Sequence, residues 1–290
     1  MIEALLLTAA RVSTYLGTQR LTGASGFFFA RDDRLYLVTS RHVVVDEDSD
    51  HYPDRLEIEI HLDEANMTHS TGFSMLLYQD GQSVWRQGRD ASSEIDVAVI
   101  EVDRDALPAS TVLRAFTPAH LVAQEEEDAP SEVEVGSSLM VVGFPLGFHD
   151  TLHHLPVVRH AVVASSFGLR FQGLGYFLTD ARTHRGTSGA PVVMRLPASV
   201  ALEGDLQALP WRLLGVHSAR LDVGSRDLLL DESLGLNCAW YADILMTLTD
   251  DRSPEPPDPP EPPQRPAPPE TPETPETQQA PKTAAPTPHK

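Results

Sequence analysis

One serine of the chain lies in a local sequence that suits a nucleophile. Ser188 stands in GTSGAP at 186–191, after LTDARTHR and before the apolar run VVM. A serine nucleophile needs N–H groups aimed at the oxyanion formed during attack, and a preceding glycine lets the chain turn so that two such groups converge. We therefore expect Ser188 to attack and the N–H groups of Gly186 and Ser188 to form the oxyanion hole. An ordinary glycine turn between strands is the alternative.

A histidine that could activate this serine ends a β-branched run, LVTSRHV at 37–43. A serine hydroxyl is a poor nucleophile at neutral pH, so a histidine must take its proton and later deliver it to the leaving group. We expect His42 to be this base. Because the chain has 12 histidines, a histidine satisfied at a strand end is the alternative.

An acid that could orient this histidine precedes an apolar strand in SEIDVAVI at 93–100. A buried carboxylate there can accept from the second ring nitrogen, which fixes the histidine tautomer and stabilises the imidazolium. Asp96 is the predicted acid. The alternatives are a turn role for Asp96 or use of Glu94 or Asp103, which flank the same strand.

Three such residues need rigid elements to position them, and the sequence contains many short, β-rich apolar segments bounded by Gly, Pro and Asp. They are GFFFA, LYLVTS, LEIEIHL, DVAVIEV, SLMVVGF, VVRHAVVASS, GYFLTD, APVVM and WRLLGVHS. This pattern predicts a sandwich or a pair of barrels. Near the end, Trp240, Ile244, Leu245 and Leu248 recur at helical spacing and predict a terminal amphipathic helix.

Together these segments resemble a known family. GASGFFF, LYLVTSRHV, IDVAVIEV, VGFPLG and TDARTHRGTSGAPV are similar to the bacterial trypsin-like peptidases, which share the chymotrypsin fold with the HtrA proteases. The resemblance covers roughly residues 20 to 245. It implies an all-β fold of two six-stranded antiparallel barrels, at about 15–120 and 133–240, then a helix at about 241–249. It also implies a serine endopeptidase that acts on proteins or peptides without a metal or organic cofactor.

The match has limits. Thr187 and Ala190 stand where the family often has Asn and Gly. Both positions belong to the loop that would form the oxyanion hole, so the detailed structure of that loop does not follow from the resemblance. We expect no PDZ-like region after residue 250, so a membrane quality-control role does not carry over. The G-x-S-x-G elbow of α/β-hydrolases describes the chain less well, because the second glycine and alternating βα units are missing.

The resemblance also suggests a specificity. Thr183, five residues before Ser188, and His217 on the strand LLGVHS are similar to pocket residues of glutamate-specific bacterial endopeptidases and viral 3C-like proteases. A hydroxyl and an imidazole can donate to a carboxylate or amide, and Arg182 could add charge. We expect a preference for Glu or Gln before the scissile bond. The alternative is a small apolar side chain, with His217 a mere strand residue. Cleavage after Lys or Arg is not expected, because this motif places no acidic residue at the base of the pocket.

The end of the chain differs in composition from the rest. Of the 24 prolines, 15 follow residue 250, with PETPETPET near the end. Such a segment cannot bury enough apolar area to offset its ordering entropy, so we expect a folded domain at 1–250 and a disordered tail at 251–290. Its PxxP runs suggest a second hypothesis, in which the protein is a binding module that docks this tail into SH3- or WW-like grooves and does not depend on catalysis.

Charge and cysteine content limit partners and compartment. A formal charge of −20 disfavours nucleic acid and anionic membranes as partners. A single cysteine, Cys238, permits no internal disulfide and predicts a reducing, cytoplasmic location. The apolar start lacks the basic residues of a signal peptide, and His149, His153, His154 and His160 lack the spacing of a zinc site. A cytoplasmic protease needs restraint, so we expect regulation by narrow specificity, by an oxyanion loop that is distorted without substrate or by an activating partner, in a stress or defence pathway.

Overall fold

The computed structural model describes residues 2–89, 94–122, 133–200, 204–220 and 235–250. The predicted tail at 251–290 lies outside the described residues. Fifteen strands and only short helices form this part of the chain, so the predicted all-β class is confirmed. Within it, no helix is long and apolar enough to cross a membrane.

The N-terminal half forms a seven-stranded antiparallel sheet in the order β5-β4-β1-β2-β3-β9-β8. Its strands are β1 (Ala9–Leu16), β2 (Gln19–Arg31), β3 (Arg34–Thr39), β4 (Arg55–His61), β5 (Ser70–Leu76), β8 (Trp85–Arg89) and β9 (Glu94–Val102). Between the two edge strands, β6 (Tyr78–Gln79) and β7 (Gln82–Ser83) form a hairpin. Asp80 and Gly81 adopt positive φ at its tip, as a tight hairpin turn requires. The hairpin connects the edge strands β5 and β8. No described strand pairing closes this sheet into the predicted six-stranded barrel.

The C-terminal half forms a closed six-stranded barrel in the order β10-β11-β12-β15-β14-β13. Its strands are β10 (Ser138–Gly143), β11 (Val157–Val163), β12 (Tyr176–Asp180), β13 (Pro191–Arg195), β14 (Trp211–Arg220) and β15 (Leu236–Tyr241). Every described pairing in this barrel is antiparallel. The predicted C-terminal barrel is therefore present.

Burial explains the two kinds of strand in the sequence. In β4, Leu56, Ile58 and Ile60 are buried while the residues between them are half-exposed, so only one face packs. In β2 successive residues all pack: Phe28 lies in the core of the N-terminal sheet, whereas Phe27 and Phe29 belong to a core shared with the C-terminal barrel. A continuous apolar run such as GFFFA is thus a strand buried on both faces.

Three short helices complete the described fold: α1 (Arg41–Val44), α2 (Gly204–Ala208) and α3 (Ile244–Leu248). Single 3₁₀ turns occur at Ala4–Thr8, Pro118–His120, Pro145–Gly147 and Phe171–Gly173. The terminal helix α3 begins later than the helical spacing predicts, because Trp240 lies in β15 and pairs with Tyr176 and Val216.

Candidate active site

His42 is held at the end of a buried strand by the first turn of α1. The strand β3 ends at Thr39, and Val43 and Val44 anchor the helical turn in the core of the N-terminal sheet. The backbone N–H of His42 donates to Asp96 Oδ1 at 2.9 Å, and its Nδ1 lies 2.8 Å from Asp96 Oδ2. A carboxylate accepts only, so Nδ1 carries the proton and Nε2 is left as the acceptor. The side chain is 36% exposed.

Asp96 is the third residue of β9 and lies between the buried residues Ile95 and Val97. Besides the two bonds from His42, Oδ2 accepts a short hydrogen bond from the hydroxyl of Ser218 in β14. Two elements from different halves of the molecule therefore converge on one acid.

The alternative acids are engaged elsewhere. Glu94 pairs with Arg41 and Arg89, each at 2.7 Å, and the carboxylate of Asp103 accepts from the N–H of Asp105 at 3.0 Å in an exposed turn. Of the three acids that flank this strand, the structure brings only Asp96 to His42.

The electrostatics of His42 follow from these contacts. Burial lowers the pKa of the imidazole, but the hydrogen bond to Asp96, the charge of Asp96 and that of Asp46 outweigh burial and raise the pKa above its ordinary value. The neighbouring Arg41 opposes this rise. The imidazolium is thus stabilised, as a base that must hold a proton transiently requires.

Ser188 lies in a tight loop between two glycines with positive φ, Gly186 at 89° and Gly189 at 83°. A Cβ on Gly189 would come within 2.2 Å of the Ser25 carbonyl oxygen and 2.4 Å of Thr39 Oγ1, so only glycine fits there. Ser188 and His42 line one open cavity of about 450 Å³. The Ser188 hydroxyl donates to the Ser218 carbonyl at 3.1 Å. No hydrogen bond joins Ser188 to His42 in the described part of the chain.

The two predicted oxyanion donors are oriented by their own peptide units. The carbonyl of Arg185 accepts from the N–H of Leu146 at 2.6 Å, and the carbonyl of Thr187 accepts from the N–H of Ala190 at 2.9 Å. In a trans peptide the N–H points opposite to the carbonyl. These bonds therefore turn the N–H groups of Gly186 and Ser188 away from Leu146 and Ala190. Neither N–H has a hydrogen-bond partner among the described residues.

Thr187 and Ala190, the two residues that differ from the family pattern, both fit into the fold of the loop around Ser188. Ala190 is fully buried in the barrel core. Thr187 is also buried, and its hydroxyl has no partner among the described residues. Its N–H donates to the carbonyl of His184 at 3.2 Å, so backbone bonds retain the loop where the side chain contributes none.

A second cavity, of about 290 Å³, lies beside residues 186–189, which we call the nucleophile loop after the predicted role of Ser188. Its lining residues in the described part of the chain are Leu146, Ala181, Arg182, Thr183, His184, Arg185 and Gly235. Arg182 and Arg185 are exposed, and neither forms an ion pair with a described acidic side chain. The hydroxyl of Thr183 donates to Asn237 Oδ1 at 2.5 Å, so its proton is already committed. The cavity is therefore lined by two arginines, which favours an anionic occupant.

His217, the second predicted pocket residue, is not among the described residues that line this cavity. It is 2% exposed in β14, and burial, followed by the nearby His42, lowers its pKa to about 4. The ring is consequently neutral at neutral pH, and Nδ1 has no partner among the described residues. Its backbone fastens the nucleophile loop: the N–H donates to Ala190 at 2.8 Å and the carbonyl accepts from Gly189 at 2.7 Å.

The histidines near residue 150 form contacts with each other and with Asp150. His149 and His154 stack with ring centroids 5.9 Å apart, while His153 pairs with Asp150 at 2.6 Å. Within the residues described here, no group of three or more His, Cys, Asp or Glu is arranged to hold a metal ion.

Sequence reasoning missed two site residues, Ser218 and Leu146. Ser218 follows the predicted pocket histidine, but its bond to Asp96 depends on β14 meeting β9 across the two halves. Leu146 lies in the segment VGFPLG, which contributed to the resemblance, yet only the fold brings its N–H to Arg185. Neither role has a signal in the local sequence.

Comparison with known proteins identifies a family. The sequence model of the trypsin-like peptidase domain matches residues 24–200, which is more than half of the chain. No curated protein matches.

Several solved structures are similar to this chain. The inactive Ser343Ala form of Rv3671c from M. tuberculosis H37Rv has a TM-score of 0.45 at 13% identity, with 84% of this chain and 86% of that chain covered. The serine endoprotease from Yersinia pestis has 0.46 at 15%, covering 83% and 61%. Human heparin binding protein has 0.47 at 15%, covering 88% and 97%.

Proposed function

The chain belongs to the trypsin-like peptidase domain family, and we propose that it is a serine endopeptidase with Ser188 as nucleophile, His42 as general base and Asp96 as the residue that orients His42. The observation that carries the proposal is the pair of hydrogen bonds from His42 to Asp96, at 2.9 and 2.8 Å, beside a cavity that His42 and Ser188 share. This arrangement leaves Nε2 of His42 as the acceptor on the cavity side.

The reaction follows from these positions. Ser188 Oγ attacks the scissile carbonyl carbon while its proton passes to His42 Nε2, and the carbonyl electron pair becomes an oxyanion that accepts from the N–H groups of Gly186 and Ser188. As the tetrahedral species collapses, His42 gives the proton to the leaving amine and an acyl-enzyme remains. Water, deprotonated by the same histidine, then releases the acid and restores Ser188.

The first step requires a small movement of the nucleophile. At rest the Ser188 hydroxyl donates to the Ser218 carbonyl at 3.1 Å, and it must rotate about χ1 to reach His42. Catalytic hydrogen bonds often form only in the substrate complex. We propose that substrate or an activating partner drives this rotation, which suits a protease under regulation in a stress or defence role.

For specificity, we propose cleavage after an acidic residue, with Glu preferred over Gln. The support is the 290 Å³ cavity beside the nucleophile and the two exposed arginines, Arg182 and Arg185, that line it. Thr183 lines the cavity, and the neutral ring of His217 retains one N–H donor. A guanidinium binds a carboxylate through charge and paired donors, whereas an amide gains only hydrogen bonds.

We also propose a reducing, cytoplasmic compartment. The only cysteine in the sequence, Cys238, is buried in β15, so the fold needs no disulfide.

A cleavage assay tests the proposed activity. Wild-type protein is incubated with a peptide library and compared with Ser188→Ala, which deletes only the hydroxyl, and with Ser166→Ala as the matched serine control. We expect hydrolysis by the wild type and the control and no hydrolysis above background by Ser188→Ala. Equal hydrolysis by wild type and Ser188→Ala would remove Ser188 as the nucleophile.

A further inference from the structure

Ser25 of β2 contacts the nucleophile loop from the other half of the molecule. It is fully buried. Its backbone N–H donates to the Ser188 carbonyl at 2.9 Å. Its hydroxyl donates to the Gly186 carbonyl at 2.7 Å and accepts from the N–H of Phe144 at 2.9 Å. One residue of the N-terminal sheet thus bonds both residues whose N–H groups form the proposed oxyanion hole.

The direction of these bonds is fixed by chemistry. The Phe144 N–H can only donate and the Gly186 carbonyl can only accept, so the single proton of the Ser25 hydroxyl must point at Gly186. The Gly186 carbonyl belongs to the peptide unit that follows its Cα, and the preceding unit is held by the bond from Leu146 to Arg185. Both peptide planes around Gly186 are therefore fixed, and with them its φ of 89°.

The surrounding space is matched to a serine. A Cβ on Gly143 would lie 2.6 Å from Ser25 Oγ, and a Cβ on Gly189 would lie 2.2 Å from the Ser25 carbonyl oxygen. That carbonyl also accepts from Thr39 Oγ1 at 2.8 Å, just before α1 and His42. Two glycines and a threonine thus hold Ser25 in one place.

We propose that Ser25 is a positioning residue for the oxyanion hole: its hydroxyl fixes the peptide unit after Gly186 and so, together with the Leu146–Arg185 bond on the unit before it, keeps the Gly186 N–H facing the attacked carbonyl. This role rests on the proposed function of Gly186 and Ser188. Removing the hydroxyl leaves the Gly186 and Phe144 groups unbonded and frees the loop to rotate, without creating a cavity larger than one oxygen. The effect should therefore fall on the transition state more than on substrate binding.

The test compares Ser25→Ala with Ser165→Ala. Ser165 is a matched control because its hydroxyl also accepts a backbone N–H, that of Leu178, at 2.9 Å, but it bonds no residue of the nucleophile loop. Five quantities are measured for each variant: kcat and KM for a peptide substrate, the affinity for a peptide aldehyde that forms a tetrahedral adduct on Ser188, the unfolding temperature, and the backbone amide NMR signals of Gly186 and Ser188 without ligand.

We expect Ser25→Ala to lower kcat and aldehyde affinity by roughly 10- to 100-fold, below the loss for deleting one whole oxyanion donor, and to change KM by less than about twofold. The amide signals of Gly186 and Ser188 should shift or broaden. Ser165→Ala should change none of these, although both variants lower the unfolding temperature.

Unchanged kcat and aldehyde affinity in folded Ser25→Ala would overturn the inference, as would a loss that Ser165→Ala reproduces. Unmoved amide signals would also overturn it, since the loop would then be held without the hydroxyl. The NMR arm is independent of turnover: if wild type hydrolyses no peptide, the proposed function fails, and the amide signals still decide whether Ser25 holds the loop.

Discussion

At the scale of single residues, Asp96 is where the two halves of the molecule act on one group. It accepts two bonds from His42 and one from Ser218. Burial lowers the pKa of His42, but the side-chain bond to Asp96 and the charge of this carboxylate help to raise it above the ordinary value. The carboxylate therefore selects the tautomer with Nε2 free, and in the proposed mechanism it also stabilises the proton that His42 acquires during attack.

The substitution Asp96→Asn separates these roles from binding. Because an amide can present its N–H to Nδ1, it favours the wrong tautomer, and we expect kcat to fall by about 10⁴. Because His42 must be neutral to act as a base, kcat/KM in the wild type should rise with pH through a pKa above the ordinary histidine value. Loss of the charge lowers that pKa. The residual kcat/KM of Asp96→Asn should therefore still increase with pH, but with its inflection at a lower pH than in the wild type.

The measurement is a pH profile of kcat/KM for wild type, Asp96→Asn and the control Asp103→Asn, whose carboxylate bonds only Asp105 among the described residues. A control profile that matches wild type, with a lower inflection for Asp96→Asn, fits the assignment. An inflection that does not move in Asp96→Asn would exclude Asp96 as the partner of His42.

Arg182 carries the specificity proposal. Reversing its charge in Arg182→Glu should reduce cleavage after Glu, because the cavity then repels a carboxylate, and increase cleavage after Lys. The matched control is Arg104→Glu, an exposed arginine outside the cavity lining. The measurement is a library cleavage profile, and a preference that stays the same in Arg182→Glu would show that another group selects the substrate.

At the scale of elements, α3 links the end of the C-terminal barrel to the N-terminal sheet. Its residues Leu245 and Leu248 are buried in the shared core. Arg31 of β2 donates to the carbonyl of Met246 at 2.6 Å, and Arg86 of β8 donates to that of Asp250 at 3.0 Å. Arginines at a helix C-terminus satisfy carbonyls that have no partner within the helix. The helix therefore contacts both halves of the molecule and stabilises their association around the candidate site.

Shortening the Leu245 side chain tests whether α3 stabilises the shared core. Leu245→Ala should reduce the free energy of unfolding by about 2–5 kcal/mol, the usual cost of a buried leucine, whereas Leu169→Ala should change it by less than about 0.5 kcal/mol. Leu169 is 70% exposed. Denaturant unfolding measures both, and equal effects of the two changes would mean that α3 does not stabilise the core.

At the scale of the whole molecule, every proposed catalytic residue and every core cluster described here lies before residue 251. Removal of 251–290 should therefore leave kcat/KM within about twofold of the full chain and the unfolding transition unchanged. The hypothesis of a binding module that works through its proline-rich segment predicts instead that this segment carries the biological role and that hydrolysis is dispensable. Loss of hydrolysis on truncation would contradict the assignment of the activity to residues 1–250.

The sequence predicts much of this molecule because its strands carry local signals. Continuous runs such as GFFFA and DVAVIEV mark strands buried on both faces, and GTSGAP marks the nucleophile loop through its glycines. The bond from Ser218 to Asp96 and those from Ser25 to Gly186 and Phe144 join residues far apart in the chain. Such contacts depend on how two sheets meet, which no local pattern encodes. The helix α3 begins late because pairing within the barrel overrides the helical spacing at Trp240.

The central claim is that Ser188 is a nucleophile activated by His42. Its most direct measurement is covalent labelling by a fluorophosphonate, with the modified residue located by peptide mass analysis and the labelling rate compared among wild type, His42→Ala and the surface control His69→Ala. We predict one adduct, on Ser188, formed at the same rate in wild type and the control and at least 100-fold more slowly in His42→Ala. An adduct on another serine, or a rate that His42→Ala leaves unchanged, would contradict the claim.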